Sequence, residues 1–287
     1  MVRSFAGVYV VLAGVSAAAP VMAGDSPADA VGLDNGQAAA LFVPRAHDRR
    51  GTLTLEDGRN AWTRVVAQRN DADGDSTLLQ IGSDVVQSSH VLLGVMVGSG
   101  RIDARAASPV SGHRTKARVR GTAVGVYGTW FQQADGAAGA YLDASLQAAQ
   151  FRSHAYGTGL KEAAHDSRMW LAALEGGYTF ALRSGARWPL QLQPQVLLRH
   201  ADGVEGGMGL RLSTWHEGQR SLLRPYAAVY WLSGDMHDSQ MSARHELQAG
   251  ADLQWGVRWG AWAGLNGQRR GHGQRDLTVQ MGVRMAW

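Results

Sequence analysis

Three residue groups in this 287-residue chain could carry chemistry, and each has a plainer reading. Asp71, Asp73 and Asp75 in the run DADGDS have the alternate spacing that opens a calcium loop. Such a loop needs glycine at its sixth position and a bidentate glutamate at its twelfth. Here Gly74 comes two positions early, and the twelfth position is Gly82. Asp and Gly also serve as ordinary turn residues, so no metal site is assigned. The histidines show no HExxH or other ligand spacing. His90, His113, His154, His165, His200, His216, His237, His245 and His272 have no sequence reason to converge with a nucleophile and an acid. No catalytic residue, cofactor or metal is expected, and the chain reads as a non-enzyme. The third group is Glu175 and the arginines Arg45, Arg49 and Arg50, which could form an ion pair if the fold brings them together; the plainer reading is that Glu175 merely lines a wet pore.

The elements that would position them follow from periodicity. Leu277, Val279, Met281, Val283, Met285 and Trp287 alternate with Thr278, Gln280, Gly282, Arg284 and Ala286. A strict period of two is a strand with one apolar face and one polar or small face. A terminal Trp suits a membrane interface. The same alternation recurs in about twelve segments, most clearly where His245, Leu247, Ala249, Ala251, Leu253 and Trp255 interleave with Arg244, Glu246, Gln248, Gly250, Asp252 and Gln254. Short gaps near 87–89, 132–138, 183–187 and 256–257 alternate with longer ones near 107–115, 155–166 and 235–243. That alternation fits short periplasmic turns and longer outer loops.

Met1-Val2-Arg3, the apolar run Phe5–Ala19 and Val21-Met22-Ala23 read as a signal peptide cleaved after Ala23. No later segment could span a bilayer as a helix. Only helices and closed barrels satisfy their backbone polar groups in hydrocarbon. The expected fold is therefore all-β, a transmembrane antiparallel β-barrel of about twelve strands. Its 37 glycines and 10 tryptophans suit tight turns, crowded lumen walls and interface girdles. The absence of cysteine excludes a disulfide scaffold and a thiolate metal site. The net charge of +4 comes from dispersed Lys and Arg with no basic stripe interleaved with aromatics, so nucleic acid is not an expected partner. In a barrel such residues sit in the lumen or near anionic headgroups.

Residues 24–36 read as a short linker and residues 37–51 either as more of that linker or as a helix threaded into the pore, with residues 52–287 forming the barrel. Gln37–Phe42 is good helix-forming sequence, which Pro44 interrupts. Trp170, Ala172, Leu174, Gly176, Tyr178 and Phe180 share one strand face, which turns Glu175 into the lumen toward Arg45, Arg49 and Arg50.

The segments AAALFVPRAHDRRG, WTRVV, HVLLGVMVGSGR, AVGVYGTWF, GAYLDASLQ, WLAALEGGYTFAL, LRPYAAVYWL and LTVQMGVRMAW resemble, in order, the translocator domain of autotransporters (type V secretion). The likeness covers Gln37 to Trp287. It implies an outer-membrane barrel of twelve strands, a helix through its pore, and an N-terminal passenger delivered to the cell surface. It also implies export by the Sec machinery, periplasmic chaperones, and insertion as a monomer into outer-membrane lipid by the barrel assembly machinery. Met281, Val283, Met285 and Trp287 would act as the C-terminal assembly signal. Two residues depart from the pattern: Pro44 breaks the helix, and Ala46 replaces a larger apolar residue. Both argue for a loosely docked plug. Little sequence separates Ala23 from the helix, so the passenger is expected to be vestigial or lost. Some relatives cleave their passenger at an asparagine. Asn35-Gly36 is a labile pair, but nothing else there matches a cleavage junction, so self-cleavage is not expected. The leading function is a translocator barrel. A stand-alone channel is the alternative, and a barrel enzyme follows at a distance.

Overall fold

A computed structural model describes residues 35–51, 60–70, 74–107, 114–133, 138–157, 160–183, 188–234, 242–256, 258–270 and 275–287. The signal-peptide segment ending at Ala23, most of the 24–36 linker, Asp71, Asp73, His113, His237 and His272 lie outside these residues. The strands run β1 Asn60–Asn70, β2 Gly74–Gln87, β3 Val91–Ala107, β4 Arg114–Phe131, β5 Gly139–Gly157, β6 Leu160–Arg183, β7 Leu190–His200, β8 Val204–Thr214, β9 His216–Glu217, β10 Ser221–Gly234, β11 Ser242–Trp255, β12 Trp259–Arg270 and β13 Arg275–Ala286. The two-residue β9 only extends the β10 ladder, which leaves twelve wall strands. Neighbours pair antiparallel throughout. β1 pairs with β13 from Asn60↔Ala286 to Asn70↔Asp276, which closes the barrel. Closure leaves no unpaired sheet edge, the condition for a sheet in hydrocarbon.

Alternation sorts the two faces. On β13, Leu277 and Met281 are more than half exposed, as is Trp287 just beyond it, while Asp276, Gln280 and Arg284 are buried in the lumen. On β11, Leu247 faces out and Arg244, Glu246, Gln248 and Asp252 face in. A barrel thus inverts the soluble rule: its apolar face is outside, where lipid replaces water. The expected long loop at 155–166 is replaced by structure. β5 and β6 continue as a hairpin through Ala155↔Ala163 and Gly157↔Leu160, with a register irregularity between Ala155 and Gly157. Ala, Gly and Tyr there carry no apolar–polar alternation, so the strand signal is missing although the ladder forms. This hairpin projects from the loop end of the barrel. Asn60 and Ala286 lie at the turn end, which is the periplasmic one.

The N-terminal segment occupies the lumen as two short helices, α1 Asn35–Leu41 and α2 Ala46–Arg50. Phe42 to Arg45 break them apart. Pro44 lacks the N–H a continuous helix would need, so the break falls where the sequence places it.

Candidate functional site: the plugged lumen

The plug is seated by apolar packing at one end and by charge at the other. Ala38, Ala39, Phe42 and Val43 are at most 3% exposed and share a cluster with Val66, Leu78, Ile102, Val119, Phe151 and Ala201. Phe42 meets Phe151 edge-on, with centroids 5.6 Å apart. Its ring lies against Gly98, Gly100 and Gly121, where an added Cβ would stand 3.0–3.1 Å from it. Three glycines on β3 and β4 thus make the room that one aromatic fills.

The helix break is stabilised by the wall. The last carbonyls of a helix lack intrahelical donors. That of Phe42 accepts from Gln80 Nε2 at 3.1 Å and from Gln147 Nε2 at 2.6 Å. The first N–H groups of α2 lack acceptors, and Arg45 at the N-cap offers no capping side chain. Glu175 Oε2 accepts from the Ala46 N–H at 3.1 Å, and Glu175 Oε1 accepts from the Tyr141 hydroxyl at 2.7 Å. A β6 carboxylate therefore supplies from the wall what an N-cap would supply locally.

The guanidinium groups have other partners. Arg45 forks onto Glu246 at 2.5 and 2.7 Å and stacks over the Tyr230 ring at 3.8 Å. Arg49 forks onto Asp143 at 3.2 and 2.5 Å and covers the Tyr127 ring at 4.2 Å. Both pairs are fully buried. The lumen thus brings Glu175, Arg45 and Arg49 to one place, with Glu175 bonded to the helix backbone and Asp143 and Glu246 taking the arginines. The Arg50 side chain lies outside the described residues. Asp143 and Glu246 were detectable in principle, since each sits at an inward position of an alternating strand.

Below this level Asp48 Oδ1 accepts from Gln248 and Gln280 at 2.7 and 2.6 Å, and its carbonyl accepts from Trp262 Nε1. Its other oxygen, Oδ2, lies 3.8 Å from the Arg45 guanidinium. His47 bridges the Gly51 carbonyl and Gln193 Oε1. Gly51 has φ +75, and a Cβ there would stand 2.2 Å from Asp252 Oδ2, itself paired with Arg284. Only glycine ends α2 at that spot. The expectation of loose docking from Pro44 and Ala46 gives way here: Ala46 is fully buried against Phe131 and Tyr141. Beside Arg45 and Asp48 the lumen keeps a void of about 80 Å³, room for only a few waters.

Replacing Glu175 with Ala removes the acceptor of a buried N–H and a buried hydroxyl. The plug should loosen by about 1–3 kcal/mol, read as shorter closed dwell times in single-channel recordings. Unchanged dwell times would remove Glu175 from the docking contacts.

Comparison with known proteins places this geometry. Residues 61–203 match the family model described as autotransporter beta-domain. The uncharacterized protein YuaQ of Escherichia coli K12 is 24% identical over 86% of this chain, which spans 22% of that relative's length. The transport unit of the E. coli autotransporter AIDA-I superposes with a TM-score of 0.72 at 19% identity, covering 88% of this chain and 96% of that one. The beta domain of the Bordetella autotransporter BrkA gives 0.62 at 23% identity, covering 80% and 100%.

Proposed function

Because this chain belongs to the autotransporter beta-domain family and is a translocator barrel of the Gram-negative outer membrane, we infer that it conducts a preceding polypeptide segment to the cell surface and then closes on its own plug. The observation that carries the reading is the polarity of the plug. α1 shares its apolar cluster with Ala201, at the β7–β8 turn of the loop end. Gly51 lies beside Asp252, Trp262 and Arg284, toward the turn end. The chain therefore descends from the extracellular side to the periplasmic side before β1 begins. The upstream end of α1 is thus the end turned to the outer mouth, the direction that suits an exported passenger.

The proposed organisation keeps residues 1–23 as the export signal, 24–36 as the link, 37–51 as the plug and 52–287 as the barrel. Met281, Val283, Met285 and Trp287 all face outward on the strand that closes the barrel, a placement that suits their reading as the assembly signal. No catalytic role is proposed, since the lumen carboxylates Asp143, Glu205, Glu246 and Asp252 are committed to arginines.

An unstructured tag inserted after Asp25 tests the reading in intact cells. Added protease should remove the tag while the barrel stays in the outer membrane. A tag protected in the periplasm beside a folded barrel would overturn it and leave a plugged channel.

A further inference from the structure

The outer wall of β3 to β6 is stratified by cross-strand register. One row reads Val97, Val124, Ala148, Trp170, all facing lipid. The next row toward the loop end reads Ser99, Thr122, Gln150, Arg168. Above it, Arg101, Arg120 and Arg152 stand directly opposite one another on three adjacent strands, followed by Asp166 on β6. A further row holds Asp103, Arg118 and His154.

Like charges directly opposite one another across a sheet destabilise it. Two carboxylates relieve the flanks: Asp103 pairs with Arg101 and Arg118, and Asp166 pairs with Arg152. Arg120, at the centre, is exposed and has no carboxylate partner among the described residues. With Arg168, the patch carries five guanidiniums against Asp103 and Asp166. Continuous with it is a groove of about 690 Å³ whose lining includes Thr77, Leu79, Ser99, Arg101, Arg120 and Arg152. The turn end is dressed differently, with outward Trp130, Phe180, Trp188, Trp255, Trp259 and Trp287.

We propose that the Arg101–Arg120–Arg152 row is a binding surface for the phosphate groups of a lipid in the outer leaflet. Arginine forks match phosphate oxygens two at a time. The row stands one polar step above the last apolar row, at headgroup height. An acyl chain against Val97, Val124 and Trp170 would bring its phosphate to Arg120, and that anion would relieve the repulsion in the row. The binding is reversible association, with no covalent step.

The test uses the full-length barrel in detergent micelles, with lipid A as the probe and native mass spectrometry counting retained lipid. Bis-phosphorylated lipid A should be retained about tenfold better than its dephosphorylated form, and R101Q/R120Q should abolish that preference. Arg258→Gln, at an exposed position of the turn end, should leave it intact. Heat-modifiable gel migration checks that each variant is folded. If R101Q/R120Q does not fold, the phosphate preference of the unmodified protein and of R120Q alone decides. Equal retention of the two lipids, an unchanged preference in a folded R101Q/R120Q, or equally tight binding of inorganic phosphate without lipid would each overturn the proposal.

Discussion

Replacing Glu246 with alanine should convert a closed barrel into one that opens for long periods. Arg45 lies 4% exposed in the lumen, and its fork onto Glu246 is the contact that neutralises it. The surroundings offer little else: Arg64, Arg199 and Arg244 line the same small void. Asp48 stands 3.8 Å away but is also shared with two glutamines. Removing one partner of a buried pair costs about 3–5 kcal/mol, because the other charge is left uncompensated. That is roughly two to four orders of magnitude in the docking equilibrium. Planar-bilayer recordings of the full-length protein should show brief openings for the parent and long ones for E246A. The double variant R45M/E246M removes both charges together and should recover most of the closed state, since buried pairs exchange for apolar residues at small cost. A folded E246A that stays closed, or a double variant as open as E246A, would show that the pair does not hold the plug.

The wall of this barrel was legible in the sequence and its plug contacts were not, for one physical reason. Lipid selects for apolar side chains at every second position, so Leu277–Trp287 and Arg244–Trp255 announce their strands and faces directly. The lumen face is merely polar. Gln80, Gln147, Gln193, Gln248 and Gln280 are all buried there beside Asp143, Glu175 and Glu246. Which of them meets Arg45 depends on strand tilt and on the rotation of α2, and neither leaves a mark in one-dimensional periodicity. Glu175 was recognisable as a lumen residue from the apolar face around Trp170. Its role as acceptor for the Ala46 N–H became visible only once the helix break at Pro44 had a position in space. The break itself was legible. Its consequence was not, because a carbonyl freed by the break can be taken up by Gln80 and Gln147 from the wall.

Phe42→Ala should release the upper part of the plug as decisively as E246A releases the lower, through a different force. Phe42 fills a site whose walls are three glycines and Phe151, so truncation leaves a cavity that the sheet, pinned by its ladders, cannot collapse to fill. Phe→Ala substitutions of this kind cost about 3–5 kcal/mol. The backbone bonds from Gln80 and Gln147 to the residue-42 carbonyl survive the change, so the loss isolates packing. The chain has no cysteine, which makes Ala38→Cys, in the buried face of α1, a unique reporter. Its maleimide labelling should be slow in the parent and roughly a hundredfold or more faster with Phe42→Ala added. Gly98→Leu supplies the converse. An added Cβ there presses on Phe42 at 3.1 Å and on the Gln80 side chain at 3.0 Å, so alone it should expose Ala38→Cys. With Phe42→Ala present, the leucine enters the vacated space and should slow labelling again. Such reversal of sign is the signature of two groups competing for one volume. Additive effects would mean that Phe42 does not occupy the glycine socket and that the charged pairs alone seat the plug.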